Sequence, residues 1–263
     1  MISIHKQFID KISESLKLDS RILGLAIGGS YITGEMDEFS DLDFVLAVDP
    51  KYYEAVMKQR IPMISQLGHL LSAFTGEHVS EPRLIIALYD YKDTLIHVDF
   101  KFTSLTDLAH RVENPVILWE RNNCMTNAIA TKNAFFPPLD YQNIEDKFWI
   151  WVHYATLKIG RGELFETIEF LSFLRQNVIG SMLLVDNGKL PKGVRKLEFY
   201  ELSDLNPLID SIANYDSSSC INSLEILISL YLKLRETLFD DTIILRNEAQ
   251  SKTIAYLNSI KHK

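Results

Sequence analysis

GGSYITGEMDEFSDLDFVL occupies residues 28–46. It opens at the end of one β-rich run, RILGLAIGG at 21–29, and closes inside another, DLDFVLAV at 41–48. Two neighbouring strands are therefore expected, joined by a turn-rich segment that holds Gly28, Gly29 and Gly34. Side chains in a strand alternate faces, so Asp41 and Asp43 point to the same side, about 7 Å apart along the backbone. Two carboxylates held that close repel one another unless a cation lies between them. Oxygen-only ligands of this kind favour Mg²⁺, which keeps several waters and takes its remaining ligands from a phosphate-bearing substrate. The glycines let the backbone approach such phosphates, and Ser30 adds a hydroxyl and an amide donor.

Working outward, Ile4, Phe8, Ile12 and Leu16 recur on one face of an opening helix. Residues 51–74 are dominated by helix formers and are expected to be helical, with a new start or a kink at Pro62. PRLIIALYD at 82–90 and TLIHVDFKF at 94–102 predict two strands joined as a hairpin around Lys92 and Asp93. Asp99 lies in the middle of the second, where an unpaired charge would be costly in a simple core strand. His97 and Lys101 share its face, while Ile96, Val98 and Phe100 point the other way. Asp99 is thus the candidate for a third carboxylate, one that completes a metal site or deprotonates an attacking hydroxyl. Ser104 and Asp107 form a capping pattern for a short helix, and VILWE at 116–120 reads as an edge strand.

After Pro137-Pro138 the β-branched runs give way to helical periodicity, with helices expected at 143–160, 163–186, 217–239 and roughly 245–261. Asn187-Gly188 ends the second as a glycine cap. Residues 1–140 hold 13 basic and 19 acidic side chains, a net of −6 within the chain's −8. That balance argues against general polyanion binding, so nucleic acid is not expected as a partner. Cys124 and Cys220 lie far apart and indicate neither a disulfide framework nor a zinc site. With no uninterrupted apolar run approaching 18 residues, no membrane partner is expected and a cytoplasmic location is. Trp149, Trp151, His153 and Tyr154 crowd the first long helix and read mainly as core. Lys192, Arg195 and Lys196 read as a solvated loop.

The segment 28–46 together with Asp99 resembles the polymerase-beta-like nucleotidyltransferases, marked by Gly-Ser, a spacer of about ten residues, Asp-X-Asp, and a carboxylate on a later strand. Within them the resemblance is to the small aminoglycoside and lincosamide nucleotidyltransferases. It implies an α+β fold: a nucleotidyltransferase domain at 1–138 with a mixed, mostly antiparallel sheet flanked by helices, then an all-helical substrate- or nucleotide-binding domain at 139–263. By position, Gly29 and Ser30 would contact the triphosphate and Asp41 and Asp43 would bind Mg²⁺. Asp99 would serve as metal ligand, general base or both. Many relatives carry a basic residue where this chain has Thr33. KIGRGEL at 158–164 is similar to a turn between the first two helices of these helical domains, which makes Lys158 a candidate nucleotide-phosphate contact. The implied partners are a nucleoside triphosphate, with ATP the expected one, and a small hydroxylated acceptor, cationic ones included; a homodimer is left open. The alternatives are a protein or RNA acceptor, or a non-catalytic, antitoxin-like nucleotide-binding module.

Overall fold

The computed structural model describes residues 3–200 and 202–261. The chain divides into two compact units, Met1–Pro137 and Pro138–Lys263. The first begins with α1 (Ser3–Lys17) and continues through β1 (Ile22–Ile27), α2 (Ser30–Thr33), β2 (Leu42–Val48), α3 (Tyr53–Lys58), α4 (Arg60–Ser65), β3 (His69–Gly76), β4 (Glu81–Tyr91), β5 (Thr94–Thr103), α5 (Leu105–Leu108), β6 (Val116–Glu120) and α6 (Cys124–Ala130). The strands form one sheet in the order β3-β4-β5-β2-β1-β6. Every neighbouring pair is antiparallel except β2 with β5, so the sheet is mixed and mostly antiparallel, as expected.

Hydrophobic burial dictates which face each strand turns inward. Phe8, Ile12 and Leu16 of α1 pack with Leu42, Phe44, Val98 and Phe100 in one core, and the Phe44 and Phe100 rings stack across the β2–β5 pair at 5.5 Å. With those side chains committed, the alternate positions of β2 and β5 must emerge on the opposite face. The β4–β5 connection is a two-residue turn in which Lys92 and Asp93 both take positive φ, 54° and 62°, the geometry whose twist matches that of a hairpin. Ser104 Oγ accepts from the Asp107 amide at 3.0 Å, capping α5. The helical expectation for 51–74 holds only to Ser65. After Gly68 the chain enters edge strand β3, whose exposed Leu71 and Phe74 give it no clean alternation to read from sequence. The short helix α6 also escapes periodicity.

The second unit contains α7 (Tyr141–Arg161), α8 (Leu164–Leu174), a π-helical turn at Arg175–Ile179, α9 (Gly180–Asp186), α10 (Leu205–Asp210), α11 (Ser217–Leu238) and α12 (Asn247–Lys261). The continuous run Leu164–Asp186 is long and apolar enough to cross a membrane by composition, yet half of it is buried, and Leu171, Leu174, Met182 and Leu183 belong to the helical core. It is a core helix. Trp149 is buried in that core with Phe148 and Tyr231. Glu145, fully buried, accepts from Trp149 Nε1 at 3.3 Å, from the Arg246 amide at 2.8 Å and from the Tyr231 hydroxyl, and pairs with Arg235 at 3.4 Å. A buried carboxylate so completely partnered is a fixed structural element that ties together three segments distant in sequence.

Candidate active site

β2 is the strand that gathers the site. Its antiparallel ladder with β1 sets Ile27 against Phe44, and beyond it the Gly28 amide donates to the Asp43 carbonyl at 2.8 Å. Its parallel ladder with β5 sets Asp43 beside Asp99. Registered neighbours face the same way, so two carboxylates from distant segments stand together on the face opposite the aromatic core. The Gly-Gly-Ser loop reaches them because it leaves the sheet directly opposite Asp43.

Gly29 has no alternative there. Its φ is +59°, a conformation that L side chains rarely adopt, and a Cβ on it would lie 2.0 Å from Asp43 Oδ2. The missing side chain is what lets a carboxylate rest on loop backbone. Next to it, Ser30 Oγ is buried and has no hydrogen-bond partner among the described residues. An unpartnered buried hydroxyl costs about 1–3 kcal/mol, a cost that a ligand oxygen would relieve. Ser30→Ala is therefore expected to leave the thermal midpoint unchanged or raise it, while the KM for a phosphate-bearing substrate rises several-fold; paired melting and steady-state measurements check both.

Asp41 lies one residue before β2 and is half-buried, and its charge acts on Asp99. Among the described residues, no three Asp, Glu, His or Cys side chains form a cluster that could hold a metal ion. The three-carboxylate metal set expected from sequence is thus not assembled as a closed cage: Asp43 and Asp99 are in register, and Asp41 stands at the strand's mouth. The donors still suit a hard divalent cation, because Mg²⁺ is usually held by one or two carboxylates plus waters and substrate phosphates.

Asp99 is pushed above the ordinary aspartate range, chiefly by burial, with His97 opposing the shift and Asp41 adding to it. His97 Nε2 lies 3.2 Å from its Oδ1. Because the folded-state pKa is raised, the protonated carboxyl is the form that folding favours. The stability it contributes is present at low pH and is lost as pH rises through the raised pKa. Asp99→Asn is therefore expected to melt above the wild type at pH 7, with the gap closing as pH falls through the raised pKa and gone below the ordinary aspartate value. A pair of melting curves across pH 3–8 tests this.

Asp43, Asp99 and Gly28 line one wall of a cavity of about 300 Å³, whose other walls include Glu81, Lys101, Asp107 and Glu113. Glu81 is clamped by Arg83 through two contacts of 2.7 Å and by Lys101 at 2.9 Å. The Arg83 guanidinium is the main reason its pKa is held down to about 2. Arg83 also meets Asp107 at 3.3 Å. This part of the cavity is polar but internally neutralised. Glu113, absent from the sequence reading, accepts from the Gly29 amide at 3.0 Å. No local pattern marks it, since its relation to the loop exists only in three dimensions.

Lys158 is placed differently from the sequence expectation. Its ammonium pairs with Glu163 and Glu166, the latter at 2.9 Å, and lies over the Tyr154 ring. Those carboxylates raise its pKa. A phosphate reaching Lys158 would compete with both pairs for its ammonium. Trp151 packs on Phe173, His153 on Tyr256 and Tyr154 on Phe170, which leaves the α7 aromatics engaged within their own unit. Lys192, Arg195 and Lys196 are exposed.

Residues 9–101 match the family model described as a nucleotidyltransferase domain. That span runs from within α1 through most of β5 and includes Gly29, Ser30, Asp41, Asp43 and Asp99. No curated protein matches the chain in sequence. Among solved structures, the chain is similar to an aminoglycoside 6-adenyltransferase from Bacillus subtilis, at 14% identity and a TM-score of 0.40, with 97% of each chain covered.

Proposed function

We propose, from the match of residues 9–101 to a nucleotidyltransferase domain, that the chain transfers AMP from MgATP to a hydroxyl group of a small molecule, with release of pyrophosphate. The observation that carries this reading is the meeting of the Gly28-Gly29-Ser30 loop with Asp43 and, through the strand register, with Asp99. A phosphate cradle with a hidden unpartnered hydroxyl adjoins a pair of carboxylates, the arrangement that phosphoryl chemistry needs.

In the proposed reaction the Gly29 backbone and Ser30 Oγ hold the triphosphate. Asp43, with Asp41 at the mouth of the strand, would hold Mg²⁺, which supplies charge neutralisation at the reacting phosphate and the leaving group. Asp99 takes the proton of the acceptor hydroxyl, whose own pKa is too high for attack at neutral pH. Its raised pKa suits a group that must accept a proton. The acceptor oxygen forms its bond to the α-phosphorus as the bond from that phosphorus to the bridging oxygen breaks. Pyrophosphate carries away the electron pair.

The net −6 of residues 1–140 favours a cationic acceptor over an anionic one. Together with the resemblance at residues 28–46, this makes aminoglycosides the first acceptors to try and lincosamides the second. The test is pyrophosphate release from MgATP with and without such a panel, run beside Asp41→Asn. Acceptor-dependent release that disappears in the variant supports the proposal. Binding of ATP with no stimulated release would remove the antibiotic acceptor and turn the search to protein, RNA or metabolite hydroxyls. Undiminished release by Asp41→Asn would refute the role given to that carboxylate.

A further inference from the structure

Resting on the reading of residues 28–30 as the phosphate loop, we infer that Glu113 is a specificity-determining residue that reserves the Gly29 amide for anions arriving with a divalent cation. Glu113 lies in the connection between α5 and β6. Its Oε1 accepts from the Gly29 amide at 3.0 Å and would stand 3.1 Å from a Cβ on Gly28. Asp43 meets the same two glycines from β2, its Cβ 3.7 Å from that position on Gly28 and its Oδ2 against Gly29. The loop amide is thus already occupied by an anionic oxygen, with a second carboxylate beside it.

The placement of Glu113 is built, not incidental. Arg111 ties the connection down: its Nε donates to Asn114 Oδ1 at 2.7 Å, and its guanidinium donates to the Lys132 carbonyl at 2.8 Å. The Phe135 amide donates back to the Arg111 carbonyl at 2.9 Å. Pro115 follows Asn114 and favours extended backbone at the residue before it. A side chain on a segment so anchored has little reason to wander, and its carboxylate takes the hydrogen bond that a phosphate oxygen would take.

The consequence for selectivity is electrostatic. A bare phosphate or metal-free triphosphate must displace one carboxylate while approaching another, so like-charge repulsion opposes it. An anion that brings its own divalent cation arrives with much of its charge neutralised and has Asp43 as a partner for the cation, so displacing Glu113 costs it far less. Glu113 therefore lowers the affinity for metal-free anions far more than for the metal complex. An occupied site lowers apparent affinity by the fraction of molecules in which it is vacated, a loss that removing the occupant restores.

Calorimetric titration of wild type, Glu113→Gln and Glu113→Ala, each with tripolyphosphate in EDTA and with MgATP, tests the inference. Glu113→Gln keeps the shape and the acceptor oxygen but removes the charge, so it reports even where the alanine variant folds poorly. The expected result is that both variants bind metal-free tripolyphosphate about tenfold tighter than wild type, while MgATP affinity changes by less than about threefold. Unchanged tripolyphosphate affinity overturns the inference. So does a matching loss of MgATP affinity, which would make Glu113 a metal ligand. If folded wild type binds neither probe, the phosphate-loop reading itself fails and the inference with it, an outcome distinct from a wild type that binds MgATP and variants that do not differ.

Discussion

Asp43→Asn is expected to reduce nucleotidyl transfer by roughly a thousandfold, equivalent to about 4 kcal/mol of transition-state stabilisation, with the thermal midpoint within about 2 °C of wild type. The large catalytic effect follows from the position of Asp43, which is the one side chain that touches the phosphate loop and stands in register with Asp99. The amide keeps the shape of the carboxylate but not the charge that would hold a cation at the phosphates. The small structural effect follows from its neighbours. Leu42 and Phe44 carry the burial of β2, and neutralising one of two adjacent carboxylates removes repulsion. Initial rates of pyrophosphate release at saturating MgATP and acceptor, set beside a melting curve, check both parts. A variant that loses activity together with fold would say only that Asp43 is structural.

Gly29→Ala should lower MgATP affinity and transfer by at least about a hundredfold and cost about 1–3 kcal/mol of stability. The two losses have different origins. The stability cost is backbone strain, since alanine must adopt a φ of +59°. The functional cost is displacement of Asp43. The clash at 2.0 Å is with the end of a flexible side chain, so the fold can relieve it by swinging that carboxylate away, and doing so dismantles the pairing with Asp99. Gly34→Ala is the control for a positive φ without a contact, in the milder left-handed helical region, with ψ of 15° against −141° at Gly29. Gly34 also has positive φ, +71°, but nothing lies within 4 Å of its added Cβ. It should show the strain cost alone, with MgATP affinity retained. Equal functional losses in the two variants would place the defect in loop conformation generally and not in the contact between Gly29 and Asp43.

The site also illustrates how stability is surrendered for chemistry. Ser30 Oγ is buried without a partner among the described residues, and burial raises the Asp99 pKa; the protein is expected to be more stable with alanine at 30 or asparagine at 99. Groups kept in an unfavourable state by the protein alone are groups whose partners arrive with the substrate. The Glu145 network in the helical unit is the contrast: a carboxylate buried more deeply than Asp99, yet satisfied by Trp149, Tyr231, Arg235 and the Arg246 amide.

By itself the sequence determined whatever is periodic or local. The alternation around Asp99 and Asp43 predicted which face each strand turns to the core. The glycines at 28 and 29 predicted a backbone that something must approach closely, and the change of texture after Pro138 predicted helices. It could not determine what depends on pairing between distant segments. The parallel register of β2 with β5, which sets Asp43 beside Asp99 and leaves Asp41 at the strand's mouth, comes from packing Phe44 against Phe100 under α1. The strand β3 carries no alternation and is a strand only because the edge of β4 is there to pair with it. The pairing of Lys158 with Glu163 and Glu166 is likewise set by the turn between two helices. Glu113 had no local signature at all, because its partner is a backbone amide 84 residues away, and a main-chain donor is identical at every residue except proline until the fold selects one.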